Sequence, residues 1–477
     1  MNTTPQQILN IEDALVSDDN PARNEGFLDY ERCARLHNYL VAYAWMVRYE
    51  RDTPDLDALA SRPLRFMNED TEAVRERLDP SLNSFLDLIY DPEPELFYWV
   101  NGVIMDFCDI TFPDEHNNLE DKERFVVIYD TVPGLGPHNL GVVYDQQLHR
   151  ASFPMTITNS ESVEPIDEHE DLWFPLETIL THWVNLIRMG KVVADSRGED
   201  LPDDVAMSRS QIGLWAWLPY CSVQIDNTVA AMDRYSAAIE SRMPPESLST
   251  ASTSLFTDAD LDTASVPKSC FIRSVLTRVK TPRFNLIAPG LEVPHDKVAF
   301  ARRQQFTDVP RDEASIPPIL LFAAESALTV NFNKEIRWSF LKGVDQVTMN
   351  ESGLIPTGLY SESVCRCHYD EEEAGFRLLL PFALRSTLWD NEGARMSDGS
   401  LVTSGSFTEL FQHGHFHPFG GERRAQRLER LFNRWTELIE NGVWTVGRDG
   451  VEGGIDTFRD ADNGNGAWMD YWIAPDW

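Results

Sequence analysis

The sequence is poor in the residues that announce a class. Cysteine is scarce, 6 in 477 residues, and Cys33, Cys108, Cys221, Cys270, Cys365 and Cys367 are scattered along the chain. That is not the dense spacing of a disulfide scaffold, so reduced thiols are expected. Positive charge is scarce as well: 41 Lys and Arg stand against 77 Asp and Glu, a formal net charge of -36. Such a surface favours solubility and repels nucleic acid and anionic membrane, except at a local basic patch. No uncharged apolar run reaches the roughly 18 residues of a membrane span. The opening "MNTTPQQILNIEDALVSDDNPARNE" lacks the charged and apolar regions of a secretory leader, and the expectation is a cytoplasmic protein without membrane contact. Internal repeats, a Walker A loop, GxGxxG after a strand, GxSxG and HExxH are also missing. An EF-hand counted from Asp460 fails because Asn465 replaces the turn glycine and Tyr471 the bidentate glutamate.

What is present belongs to a folded chain: 42% hydrophobic residues, 11% aromatic, 13 Trp, and enough length for more than one core. The fold class read from the patterns is α+β (mixed), with a predominantly helical N-terminal half and a mixed strand/helix C-terminal half. Residues 1–25 read as a mobile acidic tail. Residues 26–242 read as a mainly α-helical domain, with helical spacing in "LDYERCARLHNYLVAYAWMVRYE", "PSLNSFLDLIYD", "PELFYWVNGVIMDFCDI", "FPLETILTHWVNLIRMGKVVAD" and the segment after Gln211. The Ser/Thr/Asp/Pro-rich residues 243–267 read as a flexible linker or loop. Residues 268–477 read as a mixed α/β domain: "RFNLIAP", "IPPILLFAAES", "ALTVNF" and "GFRLLLPFAL" as strands, then an Arg-rich amphipathic helix over 422–441 and an aromatic C-terminus.

At helical spacing Leu428, Leu431, Phe432, Trp435, Leu438 and Ile439 share one face of that helix, while Arg423, Arg427, Arg430 and Arg434 form a stripe on another. A second basic stretch carries Lys268, Arg273, Arg278, Lys280, Arg283, Lys297, Arg302 and Arg303. Two readings are open: a polyanion footprint, in which these cations bind phosphates, or ion pairs with the protein's own abundant carboxylates. Just before the arginine stripe, "FQHGHFHPFGG" sets His413, His415 and His417 at alternate positions. No fourth zinc ligand accompanies them, so His413 or His415 is a candidate acid/base or anion-orienting group at a helix N-terminus. The alternative is a loop packed around Phe411 and Phe416. "CRCH" at Cys365–His368 has no second Cys/His pair and reads as structural, so neither metal nor cofactor is expected. Tyr360, Ser361, Ser363, Cys365 and Cys367 are candidate nucleophiles, and Glu325, Glu362, Asp370 and Asp398 are carboxylates able to clamp a cationic group.

The run "RMSDGSLVTSGSFTELFQHGHFHPFGGERRAQRLERLFNRWTELIENGVWTVGRDGVEGGIDTFRDAD", with "GFRLLLPFAL" and the closing "DYWIAPDW", resembles the fungal arginine-containing cyclodipeptide synthases over the C-terminal half. The resemblance implies an aminoacyltransferase of fungal secondary metabolism. Such an enzyme takes arginine from arginyl-tRNA, joins it to a second amino acid and closes a diketopiperazine. It assigns no catalytic residue here. Aminoacyl esters are already activated, which agrees with the missing nucleotide motifs. Two other classes stay open: a non-catalytic protein-interaction module, and another specialised-metabolite enzyme such as an unusual terpene cyclase built on Asp167, Glu168, Glu170 and Asp171, which lack a partner metal motif.

Overall fold

The computed structural model describes residues 4–24, 26–61, 71–92, 95–107, 123–132, 141–153, 172–249, 254–309, 311–331, 340, 353–384, 393–414, 417–421 and 425–477. The chain forms two compact units, 1–218 with 415–422 and 475–477, and 219–414 with 423–474. The division therefore falls at Leu218–Pro219 rather than inside 243–267. Among the described residues no helix is long and apolar enough to cross a membrane.

The first unit is mixed rather than helical. Helix α1 (Tyr30–Arg48) starts where the Asp29 carboxylate accepts the Arg32 N–H, and α2 (Pro80–Leu88) where Asp79 accepts the Ser81 N–H ahead of a proline at the first helical position. A four-stranded antiparallel sheet follows in sequential order: β1 (Val100–Phe107), β2 (Phe125–Thr131), β3 (Val142–Asp145) and β4 (Arg150–Ser152). After α3 (Leu176–Arg188), strands β5 (Val192–Ala194), β6 (Ser210–Ile212) and β7 (Trp215–Trp217) pair in the order β5-β7-β6. The expected helix through "PELFYWVNGVIMDFCDI" is strand β1, and the reason is visible in its register. Irregularities fall between Val100 and Val103 and between Val103 and Asp106, and Met105 has φ 50°. These bulges replace period-2 alternation by a spacing of three between pairing residues, which in a sequence looks helical.

The N-terminal segment is not a free tail. Ile8, Ile11 and Ala14 are buried, and Arg32 of α1 donates to the carbonyls of Ala14, Leu15, Asn20 and Pro21. At the centre, Phe97, Trp99, Trp183, Trp215 and Trp217 interlock, with Phe97 and Trp183 stacked at 5.2 Å. Trp183 also donates its indole N–H to the Phe419 carbonyl at 3.1 Å. Gly420 lies tight against this cluster: a Cβ there would sit 2.7 Å from both Phe153 and Trp99 ring carbons.

In the second unit α4 (Ser222–Glu240) is followed by α5 (Asp258–Thr263) and α6 (Phe271–Leu276). Then come β8 (Leu286–Ala288), β9 (Leu291–Glu292), α7 (Lys297–Arg303), β10 (Ser315–Ile316), β11 (Leu320–Ala324), β12 (Thr329–Asn331), β13 (Leu354–Pro356), β14 (Gly358–Ser361), β15 (Val364–Cys365) and β16 (Phe376–Leu379). The main sheet is five-stranded and antiparallel, in the order β16-β14-β11-β9-β8. The C-terminal helix α8 (Leu428–Glu440) lays its apolar face on α4, where Tyr235 meets Phe432 and Trp435. It starts at Leu428, not at Glu422. Arg427 before it is extended and bridges Gly375.

The described residues of the stretch expected to be a linker, 243–249 and 254–267, are folded into this unit. Leu255, Phe256, Leu261, Ala264 and Val266 are buried in its core, and Thr257 caps α5 reciprocally with Asp260. Two of its acidic residues pair with the buried Arg273, which reaches Asp258 at 2.8 Å and Asp262 at 2.7 Å. The composition of caps and turns resembles that of a linker, and a six-residue helix is too short to display periodicity.

Candidate functional site: a buried polar layer

Strand β14 ends at Ser361 and the chain runs on through Glu362 into a loop that returns at Gly375. Along this path Glu362, Asp370, Glu371, Glu372 and Glu373 are all buried. Burying a carboxylate costs several kcal/mol unless a donor meets it, and the structure supplies donors. Arg377 Nε lies 2.7 Å from Glu362 Oε2, and Arg366 Nε 2.9 Å from Glu373 Oε2. Glu373 also accepts the Phe271 N–H at the start of α6 at 2.7 Å, and Glu372 accepts from Gln224 of α4 at 3.2 Å and from the Ala374 N–H at 3.0 Å. The acidity is felt nearby: burial first, and then the Glu373 carboxylate, push the Cys270 thiol up to about 12.

Gly375 is the crossing point of the layer. A Cβ at this residue would lie 2.5 Å from that of Ala425, 3.0 Å from the Glu372 carbonyl and 3.1 Å from the Glu362 Cβ, so only glycine lets the three segments meet. From here two glutamines carry the network onward. Gln412 donates to the Phe376 carbonyl at 3.0 Å and accepts the Gln426 N–H at 3.3 Å; Gln426 donates to Ser397 Oγ at 3.1 Å and accepts the Arg427 N–H at 3.1 Å. Ser397 and Asp398 donate their N–H groups to the carbonyls of Gln412 and His413. Asp398 accepts from the Ser400 hydroxyl at 2.6 Å, and Gly414, at φ 92°, passes so close to its carboxylate that a side chain there would collide with it.

This network gathers Glu362, Asp398, His413, Arg427 and, through its 3.4 Å bond to Gln426 Oε1, Arg430. Other expected site residues lie elsewhere. Tyr360 points to the opposite face from Ser361, packs among Phe306, Phe340 and Leu379, and donates to the Pro356 carbonyl at 2.6 Å; burial raises its pKa far above the usual phenol value, which leaves a structural phenol and not a nucleophile. Ser361 Oγ accepts the Ile319 N–H at 2.9 Å inside the sheet. Glu325 sits past the far end of β11, where Ala323 pairs Gly358, so roughly 20 Å of strand separates it from Glu362. Arg434 donates to the carbonyls of Met469 and Asp470 and pairs Glu437. His415 and Arg423 lie outside the described residues, as do the carboxylates from Asp167 to Asp171. His413 and His417 belong to different units. With α8 starting at Leu428, the helix does not follow directly on the histidine run in the chain.

Sequence reasoning singled out Asp370 but missed Gln412, Gln426 and the buried Glu371–Glu373. "DEEE" reads as a solvated face, and only the fold turns it inward. The basic stretch meets the protein's own carboxylates: Arg273 with Asp258 and Asp262, Arg278 with Asp226, Lys280 with Asp233, Arg283 with Glu240 and Arg303 with Glu292. Lys297 lies over the Phe256 ring at 4.1 Å, while Lys268 and Arg302 are exposed. Among the described residues, metal-type donors converge where Cys365, Cys367 and His368 meet. No family model, no curated protein and no solved structure matches this chain.

Proposed function

We propose that the chain is an aminoacyl-tRNA-dependent synthase that forms an arginine-containing cyclic dipeptide, and that the buried layer around Gly375, Gln412 and Gln426 is its site. One observation carries the reading: Glu362 holds Arg377 at 2.7 Å in a buried setting, a carboxylate already arranged to take a guanidinium. A substrate arginine would have to displace Arg377 and take over its bond to Glu362. Apolar side chains often serve stability as well as such a layer, so a ligand would give the layer a purpose that stability does not. In the proposed reaction the amine of one aminoacyl group attacks the ester carbonyl of the other. His413 takes the proton released by the amine and passes it to the tRNA oxygen, which leaves as the hydroxyl. The free amine of the dipeptidyl ester then attacks its own ester carbonyl, which closes the ring and releases the second tRNA hydroxyl, with the proton passed on in the same way.

A second reading, a non-catalytic interaction module, is favoured by the ion pairs of Arg273, Arg278, Lys280, Arg283 and Arg303, which neutralise much of the basic stretch that RNA would need. Expression of the full chain in a host with a complete tRNA complement, followed by mass spectrometry of the medium, separates the two. The synthase reading expects arginine-containing diketopiperazines that fall at least tenfold in a soluble Glu362→Gln variant. Soluble wild-type protein with no cyclic dipeptide in medium or cells would overturn it in favour of the interaction module.

A further inference from the structure

We infer that the Cys365–His368 loop is a zinc site. Its donors are Cys365 Sγ, Cys367 Sγ and a His368 ring nitrogen, all within 4.8 Å of one another. The two sulfurs are 3.2 Å apart. Two thiolates on one tetrahedral zinc, each at ~2.3 Å, stand ~3.8 Å apart, so the pair has only to open by a few tenths of an ångström to accept the ion. A disulfide asks for the opposite movement, a closure of about 1 Å across a single intervening residue. Two soft thiolates with one imidazole suit zinc and disfavour magnesium or calcium, which take oxygen ligands.

The fold holds these donors in place. Cys365 is fixed in β15 by its pairing with Ser315 of β10, and Arg366 donates its N–H to the Ala314 carbonyl at 3.0 Å. The His368 N–H donates to the Cys365 carbonyl at 2.9 Å, which folds the loop back so that the imidazole meets the sulfurs. Arg366 is itself engaged by Glu373. Glu371, buried, lies 3.9 Å from His368 Nδ1, beyond hydrogen-bond length but close enough for a small movement of the ring to bring the carboxylate into the usual outer-shell position beside a metal-bound histidine. Cys367 and His368 are exposed, so the ion has a path from solvent.

Binding releases the Sγ proton of each cysteine to solvent as the zinc–sulfur bonds form, and the two thiolates cancel the charge of the ion. Three protein ligands leave a fourth position for water or another oxygen donor. The metal would stiffen the loop that delivers Asp370–Glu373 into the polar layer, a role independent of what that layer binds.

The test uses the full chain purified under reducing conditions from zinc-supplemented cells, with no chelator. Elemental analysis should find one zinc per chain, and exchange for cobalt should give a thiolate-to-metal charge-transfer band. Cys367→Ser and His368→Gln, both at exposed positions, should each lower metal content and band at least tenfold with an unchanged circular dichroism spectrum. Wild-type protein without zinc and without the cobalt band would overturn the inference. So would zinc that survives both substitutions, or recovery of Cys365 and Cys367 as a disulfide.

Discussion

The two units bury polarity in different ways. In the first, buried polar groups are dispersed among rings and satisfied one at a time: His37 exchanges hydrogen bonds with the Tyr129 hydroxyl and the Tyr90 carbonyl, each at 2.9 Å, and Asp145 is met by Arg124 at 2.8 Å. In the second, buried carboxylates are consecutive in the chain and joined through glutamines and arginines into one layer. The first arrangement survives the loss of one member with local damage. The second is coupled, so that removing one partner leaves a charge with nowhere to go.

The largest expected effect comes from cutting that layer. Glu362→Ala strands the Arg377 guanidinium and should cost about 3 to 5 kcal/mol in denaturant unfolding, whereas Glu362→Met with Arg377→Met should recover most of it. A single-variant loss no greater than that of the double variant would mean that the pair is not coupled and that the contrast between the units fails. The first unit is better probed by pH. Burial lowers the His37 pKa from 6.5 to about 4. The unfolded chain therefore takes up a proton below pH 6.5 that the folded chain refuses, and stability falls as pH drops from 6.5 toward 4 by up to ~3 kcal/mol. His37→Gln should flatten that part of the difference curve against wild type; an unchanged slope would show that other groups set it. The smallest effect is expected at the rim of the second unit, where Arg434→Met removes the bonds to Met469 and Asp470. It should cost about 1 to 2 kcal/mol in denaturant unfolding, and an unchanged midpoint would show that these bonds add nothing.

Much of the second unit was legible before its structure. The apolar runs around Leu286, Leu321, Val330 and Leu378 are strands, as expected of short apolar runs punctuated by Pro and Gly, although periodicity alone left a short buried helix open. The amphipathic pattern of α8 also holds, with Leu428, Leu431, Phe432, Trp435, Leu438 and Ile439 all buried. What misled was chemistry that serves two purposes. The Thr257–Asp260 cap looks like linker composition, and the bulges of β1 counterfeit a helical spacing. The arginine stripe is present at Arg430 and Arg434, yet it binds carbonyls of this unit's own later residues, Ala474, Met469 and Asp470. Of the site, Glu362, Asp398, His413 and Arg427 were identifiable by residue type. Their assembly was not, since Gln412 and Gln426 carry no signal outside the fold that joins them.

The packing of α4 against α8 also sets a timetable for synthesis. Tyr235 finds Phe432 and Trp435 only after nearly the whole of the second unit has been translated. At roughly 5 to 20 residues per second, the interval between the end of α4 and the start of α8 is on the order of 10 to 40 s. For that time the apolar side of a nineteen-residue helix waits without its partner. A nascent chain halted before Leu428 should therefore expose a sticky helical surface and recruit chaperones, while one released past Ala474 should not.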